Sequence, residues 1–236
     1  MRRSSAACAA VVKQSMSFTP KEIRDAVVFI ITLVLSIAVH EFGHAFVADR
    51  LGDPTPRSQN RVTLNPINHI DPFGTLLIPL IVFFTHAPLL GWGKPVQVSP
   101  VNYTRRWSMR VSDILVTGAG PSMNVILALL VTIIYTVVLA THLLDPAKDL
   151  ARAVENVILL NWSLAIFNLI PCPPLDGGWI LSNLLPRRHE NITEFLQQYG
   201  FVILMGLVVS GVVGYLLIPA IYVTRFFLRL VYGIAL

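Results

Sequence analysis

The residues best suited to chemistry lie in one pentapeptide, His40-Glu41-Phe42-Gly43-His44. Positions four apart share a face of an α-helix, so His40 and His44 can offer two imidazole nitrogens to one metal ion. Glu41 projects close to the same ion, where its carboxylate can take a proton from water. Zinc suits this arrangement, because it accepts nitrogen and oxygen ligands and keeps an open position in catalytic centres. One Zn2+ per chain is the expectation, with Glu41 as the catalytic group. A pattern this short arises by chance in on the order of one average-composition chain in a hundred. The competing reading is a pair of helix-packing histidines. The rest of the chain must therefore supply a third ligand and a route for water.

The element that carries the pentapeptide is itself unusual. Of 236 residues, 54% are hydrophobic and 13% charged, with mean hydropathy +0.66. Soluble chains carry about 25% charged residues. The difference is concentrated in long apolar blocks near or above the roughly 20 residues that cross a bilayer. The expected class is an all-α polytopic membrane protein with about five transmembrane helices. The net charge of +5 does not point to nucleic acid, because the 18 Lys and Arg fall almost wholly between the apolar blocks, where headgroups and membrane orientation account for them. Cys8 and Cys172 form neither a C-x-x-C pair nor a disulfide framework, and Cys172 reads as a packing thiol.

Residues 1–21 lack acidic side chains and read as a disordered tail, leaving 22–236 as a single domain. Thr19 and Pro20 suit the N-cap and first position of a helix. The first span then runs from about Ala26 to Leu51, with His40, Glu41 and His44 in its second half. Ionisable groups inside a span face a protein interior or a wet cavity by default. Residues 53–72 are rich in turn formers, and Arg61–Leu64 is short enough to be a strand. His69, in this loop, is an auxiliary candidate as ligand or substrate contact, although a lone loop histidine is more often a hydrogen-bonding partner.

Phe73–Trp92 is apolar but interrupted by Pro79 and Pro88. Gly91-Trp-Gly-Lys-Pro-Val-Gln-Val-Ser-Pro100 alternates and has prolines at both ends, which suits an edge strand or a β-hairpin arm. Arg105, Arg106 and Arg110 with Trp107 read as headgroup anchors. The next span, about 114–144, opens with Gly118-Ala-Gly120-Pro121-Ser-Met-Asn124, where small residues permit close helix contact. Asn124 is either a helix–helix hydrogen bond or a polar group of the site. A span over about 153–170 runs into Asn168-Leu-Ile-Pro171-Cys-Pro-Pro174-Leu-Asp176-Gly-Gly178. Three prolines and two glycines break the helix at membrane depth, which is tolerated only where backbone is buried in protein or lines a wet cavity. Asp176 in this break is of the type that completes a His₂-carboxylate zinc site; a turn-capping aspartate is the alternative. Two accessory spans, roughly 195–217 and 219–236, close the chain.

Taken in order, His40-Glu41-x-x-His44, Gly120-Pro121-x-x-Asn124 and Asn168-x-x-Pro171-x-x-x-Leu175-Asp176-Gly177 resemble the site-2 protease family of intramembrane zinc metalloproteases. The resemblance covers about residues 26–185, the expected catalytic core. It implies His40, His44 and Asp176 as zinc ligands and Glu41 as catalytic base. It implies Asn124 and Asn168 as residues that hold the substrate backbone or the reacting carbonyl. Lys94-Pro-Val-Gln-Val98 looks like the family's small membrane-associated β-segment, which can pair with an extended substrate, and Asn65–Gly74 is similar to a stretch in compact members. Neither a PDZ-like domain nor a CBS pair is evident within the core. The implied substrate is a membrane protein with a transmembrane segment, cut within or near the bilayer.

Geometry adds a constraint. For His40, His44 and Asp176 to meet at one depth, the spans that carry them must run in the same direction, with the 114–144 span returning between them. Phe73–Trp92 is then expected to enter the bilayer and return without crossing. The loops flanking it carry Arg50, Arg57, Arg61, Lys94, Arg105, Arg106 and Arg110, which favours a cytoplasmic side for the metal, whereas five positive charges in residues 1–24 argue the other way. The expected location is the cell membrane. The rival from another class is a catalytically silent zinc-binding membrane scaffold, against which Glu41 speaks, since binding alone does not need it.

Overall fold

The computed structural model describes residues 19–85 and 93–235. Most of the expected tail (residues 1–18) lies outside them, and so do Pro88 and Trp92. The first helix, α1 (Pro20–Arg50), starts where the sequence places it. The Thr19 side chain accepts from the Glu22 N–H, and Glu22 accepts the Thr19 N–H at 2.7 Å, a reciprocal capping box with Pro20 in the first turn. A single helical turn (Thr55–Ser58) follows, then a 3-10 turn (Pro66–His69) and a π-type turn (Pro72–Leu77) continuing into α2 (Ile78–Thr85). The long helices α3 (Met109–Ala140) and α4 (Asp149–Asn168) precede the broken segment, and α5 (Asp176–Leu184) restarts after it. The chain closes with α6 (Glu190–Val209), α7 (Val212–Leu216) and α8 (Ile218–Ala235). Gly211, at φ +78°, makes the turn from α6 into α7, a left-handed conformation open to glycine.

Among the described residues, five helical segments are long and apolar enough to cross a membrane: α1, α3, α4, α6 and the combined Val212–Ala235 stretch. Leu35 of α1, Ile133 of α3, Val202 of α6 and Phe226 of α8 are exposed on the outside of the bundle, as lipid contact requires. The 14 residues from Pro72 to Thr85 rise only about 21 Å, short of the roughly 30 Å hydrocarbon core. The return expected of this stretch falls on residues outside those described.

Side-chain contacts fix the helix directions. His40 meets Asn124 and His44 meets Val116, so residue numbers rise along α1 as they fall along α3. Arg24 pairs with Asp149 at 2.9 Å and Ser36 bonds Asn161 at 3.0 Å, so α1 and α4 run parallel in matched register. The stacking of Trp162 on Phe227 and the Glu155–Tyr232 hydrogen bond set α8 antiparallel to α4. The parallel pairing of α1 and α4 is the one the metal geometry demanded. Helix α3 sits centrally, packing on α1, α4, α5 and α8. Tyr135, Leu139, Ile158 and Val231 form the core at one end of this bundle; Ala48, Tyr103 and Val116 form a smaller one at the other.

The β-segment expected at Lys94–Val98 does not form, and among the described residues there is no strand, Arg61–Leu64 included. The reason lies in where the backbone groups go. The Lys94 N–H donates to His69 O, and Arg61 Nη2 donates to Lys94 O and Pro95 O at 2.7 and 2.9 Å. The Val96 N–H donates to Glu41 Oε2 at 3.0 Å and the Ser99 N–H to Asp53 Oδ2 at 2.6 Å. Side chains have taken the partners that a second strand would otherwise supply. Residues 93–99 form an irregular strap along the C-terminal half of α1, from Ile37 and Glu41 to Asp53 just beyond it.

Asp53 is the second staple of this loop layer. Fully buried, it accepts from the Thr55 N–H, the Thr55 hydroxyl, the Ser99 N–H and Asn102 Nδ2. Burial alone would raise its pKa, but the bonds from Thr55, Ser99 and Asn102 outweigh that and hold it below the usual carboxylate range.

Candidate metal centre and active site

The site begins with the close approach of α1 and α3. Gly43 lies against α3 where a Cβ would come within 2.7 Å of Ala119 O. This contact brings the His40 and His44 side chains against the Val116–Asn124 face. Each imidazole is then held by its Nδ1. His44 Nδ1 lies 2.8 Å from Val116 O, a backbone carbonyl that can only accept, so Nδ1 carries the proton and Nε2 is left as a lone pair. His40 Nδ1 lies 2.7 Å from Asn124 Oδ1. The Asn124 amide is oriented by its Nδ2, which donates to Ser36 O at 3.1 Å and to Asn161 Oδ1 at 3.0 Å. Its Oδ1 therefore faces His40, and His40 too presents Nε2 as a lone pair.

The third group comes from the break between α4 and α5. Gly177 and Gly178 let the start of α5 press against the chain that precedes it: an added Cβ would lie 2.3 Å from Leu169 O and 2.2 Å from Pro173 N respectively. Gly200 of α6 closes on the same segment, where a Cβ would come within 2.4 Å of Pro173 O. Cys172 is buried here, as a packing thiol should be. The outcome is that Asp176, in the first turn of α5, turns its carboxylate toward α1. Asp176 Oδ2 lies 3.2 Å from His40 Nε2 and 3.5 Å from His44 Nε2, and the two Nε2 atoms are 3.1 Å apart.

Three acceptors thus converge, and the protons of both rings are committed on the far side. Asp176 Oδ2 is buried without a hydrogen-bond donor. Such a trio is repulsive unless a cation sits among it. Ligand atoms on a tetrahedron with bonds of about 2.0–2.1 Å lie roughly 3.3–3.4 Å apart, close to the observed spacings. His40, His44 and Asp176 are grouped so that they can hold one metal ion. The space beside them is kept by Gly120, where a Cβ would fall 2.3 Å from His44 Nε2 and 2.7 Å from His40 Nε2.

Other expected site residues are placed differently. Glu41 adjoins His40 on α1, and its Oε2 accepts the Val96 N–H. Asn124, expected either as a helix–helix hydrogen bond or as a polar group of the site, is fully buried with both ends of its amide engaged, its Oδ1 bonding His40 Nδ1. Asn168 Nδ2 donates to Leu164 O, one turn back along α4. His69 is not among the converging residues. Its buried ring bonds Thr63 O at 2.9 Å and lies 3.4 Å from Arg61 Nη1. Burial pushes the His69 pKa down; the Thr63 carbonyl opposes this, and Arg61 adds to the depression. Arg61 is buried too, its guanidinium spread over the carbonyls of Asn68, Lys94 and Pro95. Sequence reasoning passed over Gly120 as more than a packing glycine, and Asn161 and Ser36 altogether. A polar residue at mid-span was the available signal for Asn161.

Comparison with known proteins agrees with this chemistry. The model of peptidase family M50 matches residues 144–207. A Bacillus subtilis protein named "Putative zinc metalloprotease YwhC" is 36% identical over 200 residues, covering 83% of this chain and 86% of that protein. The chain belongs to peptidase family M50, the site-2 protease family. A Mycolicibacterium smegmatis relative, "Putative zinc metalloprotease Rip2", is 31% identical over 209 residues, 87% of this chain and 73% of the relative. Its Mycobacterium tuberculosis counterpart is 31% identical over 175 residues, 73% of this chain and 62% of that protein. No solved structure was found to match. As an M50 member the chain is a zinc metalloendopeptidase and an integral, multi-pass membrane protein, and the His40–His44–Asp176 group fits the family's metal.

Proposed function

We propose that this M50 peptidase is an intramembrane endopeptidase that cleaves transmembrane or membrane-proximal segments of other membrane proteins. The observation that carries the reading is the convergence of His40 Nε2, His44 Nε2 and Asp176 Oδ2 inside a bundle of span-length helices, with Glu41 next to His40. His40, His44 and Asp176 hold the zinc. When bound, zinc lowers the pKa of water and polarises a carbonyl oxygen. Glu41 takes the proton from the attacking water and delivers it to the leaving nitrogen. Gly120 and the Nδ1 partners Asn124 and Val116 keep the ligand atoms aimed. Asn168, on the last turn of α4 before the break, is the side-chain amide assigned to the substrate backbone. His69 serves the loop layer through Thr63 and Arg61.

Residues 22–236 act as one domain, with the accessory helices beyond residue 195 packed on the catalytic core. The positive charges from Arg50 to Arg110 support a cytoplasmic side for the strap and the adjoining metal site, in the cell membrane. A silent zinc scaffold of the same fold would not need Glu41 beside the ligands. The test is incubation of detergent-purified chain with a single-span membrane-protein substrate, with products mapped by mass spectrometry. Cleavage inside or at the edge of the apolar segment, stopped by a chelator and restored by zinc, is the expected result. Cuts confined to distant soluble parts, or no cuts with zinc bound, would contradict the proposal.

A further inference from the structure

The polar network behind His40 extends to a third helix. Asn161 of α4 is fully buried and Ser36 of α1 nearly so. Asn161 Nδ2 donates to Val157 O at 2.9 Å and to Ser36 Oγ at 3.0 Å, and its Oδ1 accepts from Asn124 Nδ2 at 3.0 Å. Val157 O can only accept, so it fixes which end of the Asn161 amide is nitrogen. With Asn161 so oriented, only an N–H of Asn124 can face it, and Asn124 Oδ1 must point at His40 Nδ1. The four amide protons of the two asparagines have four acceptors: Val157 O, Ser36 Oγ, Ser36 O and Asn161 Oδ1. The chain of orientation runs from the α4 backbone through two side chains to a ring nitrogen of α1.

We propose that Asn161, seconded by Ser36, is a positioning residue that sets the amide orientation of Asn124 and thereby the tautomer and aim of His40 toward zinc. The inference rests on the assignment of His40 as a zinc ligand. It gives α4 a part in the centre through this relay from its middle, while Asp176 follows on α5, past the break at the C-terminal end of α4. Close helix packing alone would be served by an apolar side chain at 161. The matched amide pattern ties α1, α3 and α4 together and does so with Asn124 Oδ1 held toward His40 Nδ1. Hydrogen-bond partners of a metal-bound imidazole fix its tautomer and basicity, and their loss costs roughly 10–100-fold in metal affinity.

The experiment uses the full chain in detergent micelles, with zinc affinity measured by chelator competition and ligand field read from the visible spectrum of the Co2+-substituted protein. Asn161→Leu should weaken zinc by about 10-fold or more and shift the Co2+ bands. Ser36→Ala, a smaller change that also serves should Asn161→Leu fail to fold, should shift the bands in the same direction to a lesser extent. The double variant should bind zinc no more weakly than Asn161→Leu alone, because both act through one network. Wild-type zinc affinity and Co2+ bands in Asn161→Leu, unshifted bands in Ser36→Ala, or independent additive losses would overturn the relay while leaving the metal centre in place. A wild-type chain that binds no zinc, or a His40→Ala variant that binds it normally, would overturn the ligand assignment and the relay with it.

Discussion

Replacing Gly120 by alanine should remove the metal while leaving the fold intact. The added Cβ would stand 2.3 Å from His44 Nε2, 2.5 Å from His44 Cε1 and 2.7 Å from His40 Nε2. Carbon and nitrogen in ordinary contact are about 3.5 Å apart. The His44 ring must therefore retreat by roughly 1 Å and the His40 ring by somewhat less. Zinc–nitrogen bonds tolerate only about 0.2 Å about their normal length, so neither ring can move this far and remain a ligand. The loss should exceed the roughly 100-fold associated with outer partners of a ligand. Zinc in detergent-purified protein should fall from one per chain to near zero by elemental analysis, with helical circular dichroism unchanged. Gly118→Ala provides the control on the same helix, since nothing lies within 4 Å of a Cβ there; it should keep its zinc. A Gly120→Ala protein that retains zinc at wild-type affinity would refute the placement of the open side of the site beside Gly120.

Asp176→Ala should lose zinc to a similar degree, because it removes the one oxygen among the three converging atoms; unchanged zinc content would take Asp176 out of the centre. The loop layer should respond to acid through Asp53. Its folded pKa lies below its unfolded value of about 3.9, so the unfolded chain binds the extra proton. The stabilisation is present above about pH 4 and is lost as pH falls through the folded pKa. Hydrogen exchange at residues 99–102 should accelerate below about pH 4 in the wild type, whereas Asp53→Asn should exchange fast already at pH 7; equal acid dependence in both would count against the staple.

Much of this architecture is legible in the sequence because lipid imposes simple rules. The apolar blocks mark the five span-length helices, and Thr19-Pro20 with Glu22 marks the start of the first. The spacing of His40 and His44 and the proline-rich break before Asp176 indicate two halves of one centre. Their meeting also dictates that α1 and α4 run parallel. What was not legible depends on who partners whom. The alternation in Lys94–Val98 suggests a strand, but Glu41, Arg61 and His69 claim its backbone groups. Asn124 reads equally well as a substrate contact or a helix–helix bond until Asn161 and Ser36 are seen behind it. Gly120 differs from Gly118 only in what faces it, and no local pattern carries that information.

The most direct test of the central claim is the zinc content and cleavage activity of Glu41→Gln measured on the same preparation. The proposed ligands His40, His44 and Asp176 are untouched by this change, so zinc should remain at one per chain. Cleavage of a single-span substrate should fall by about 10²–10⁴-fold, the usual contribution of a general base. Wild-type cleavage by Glu41→Gln with zinc bound would contradict the account.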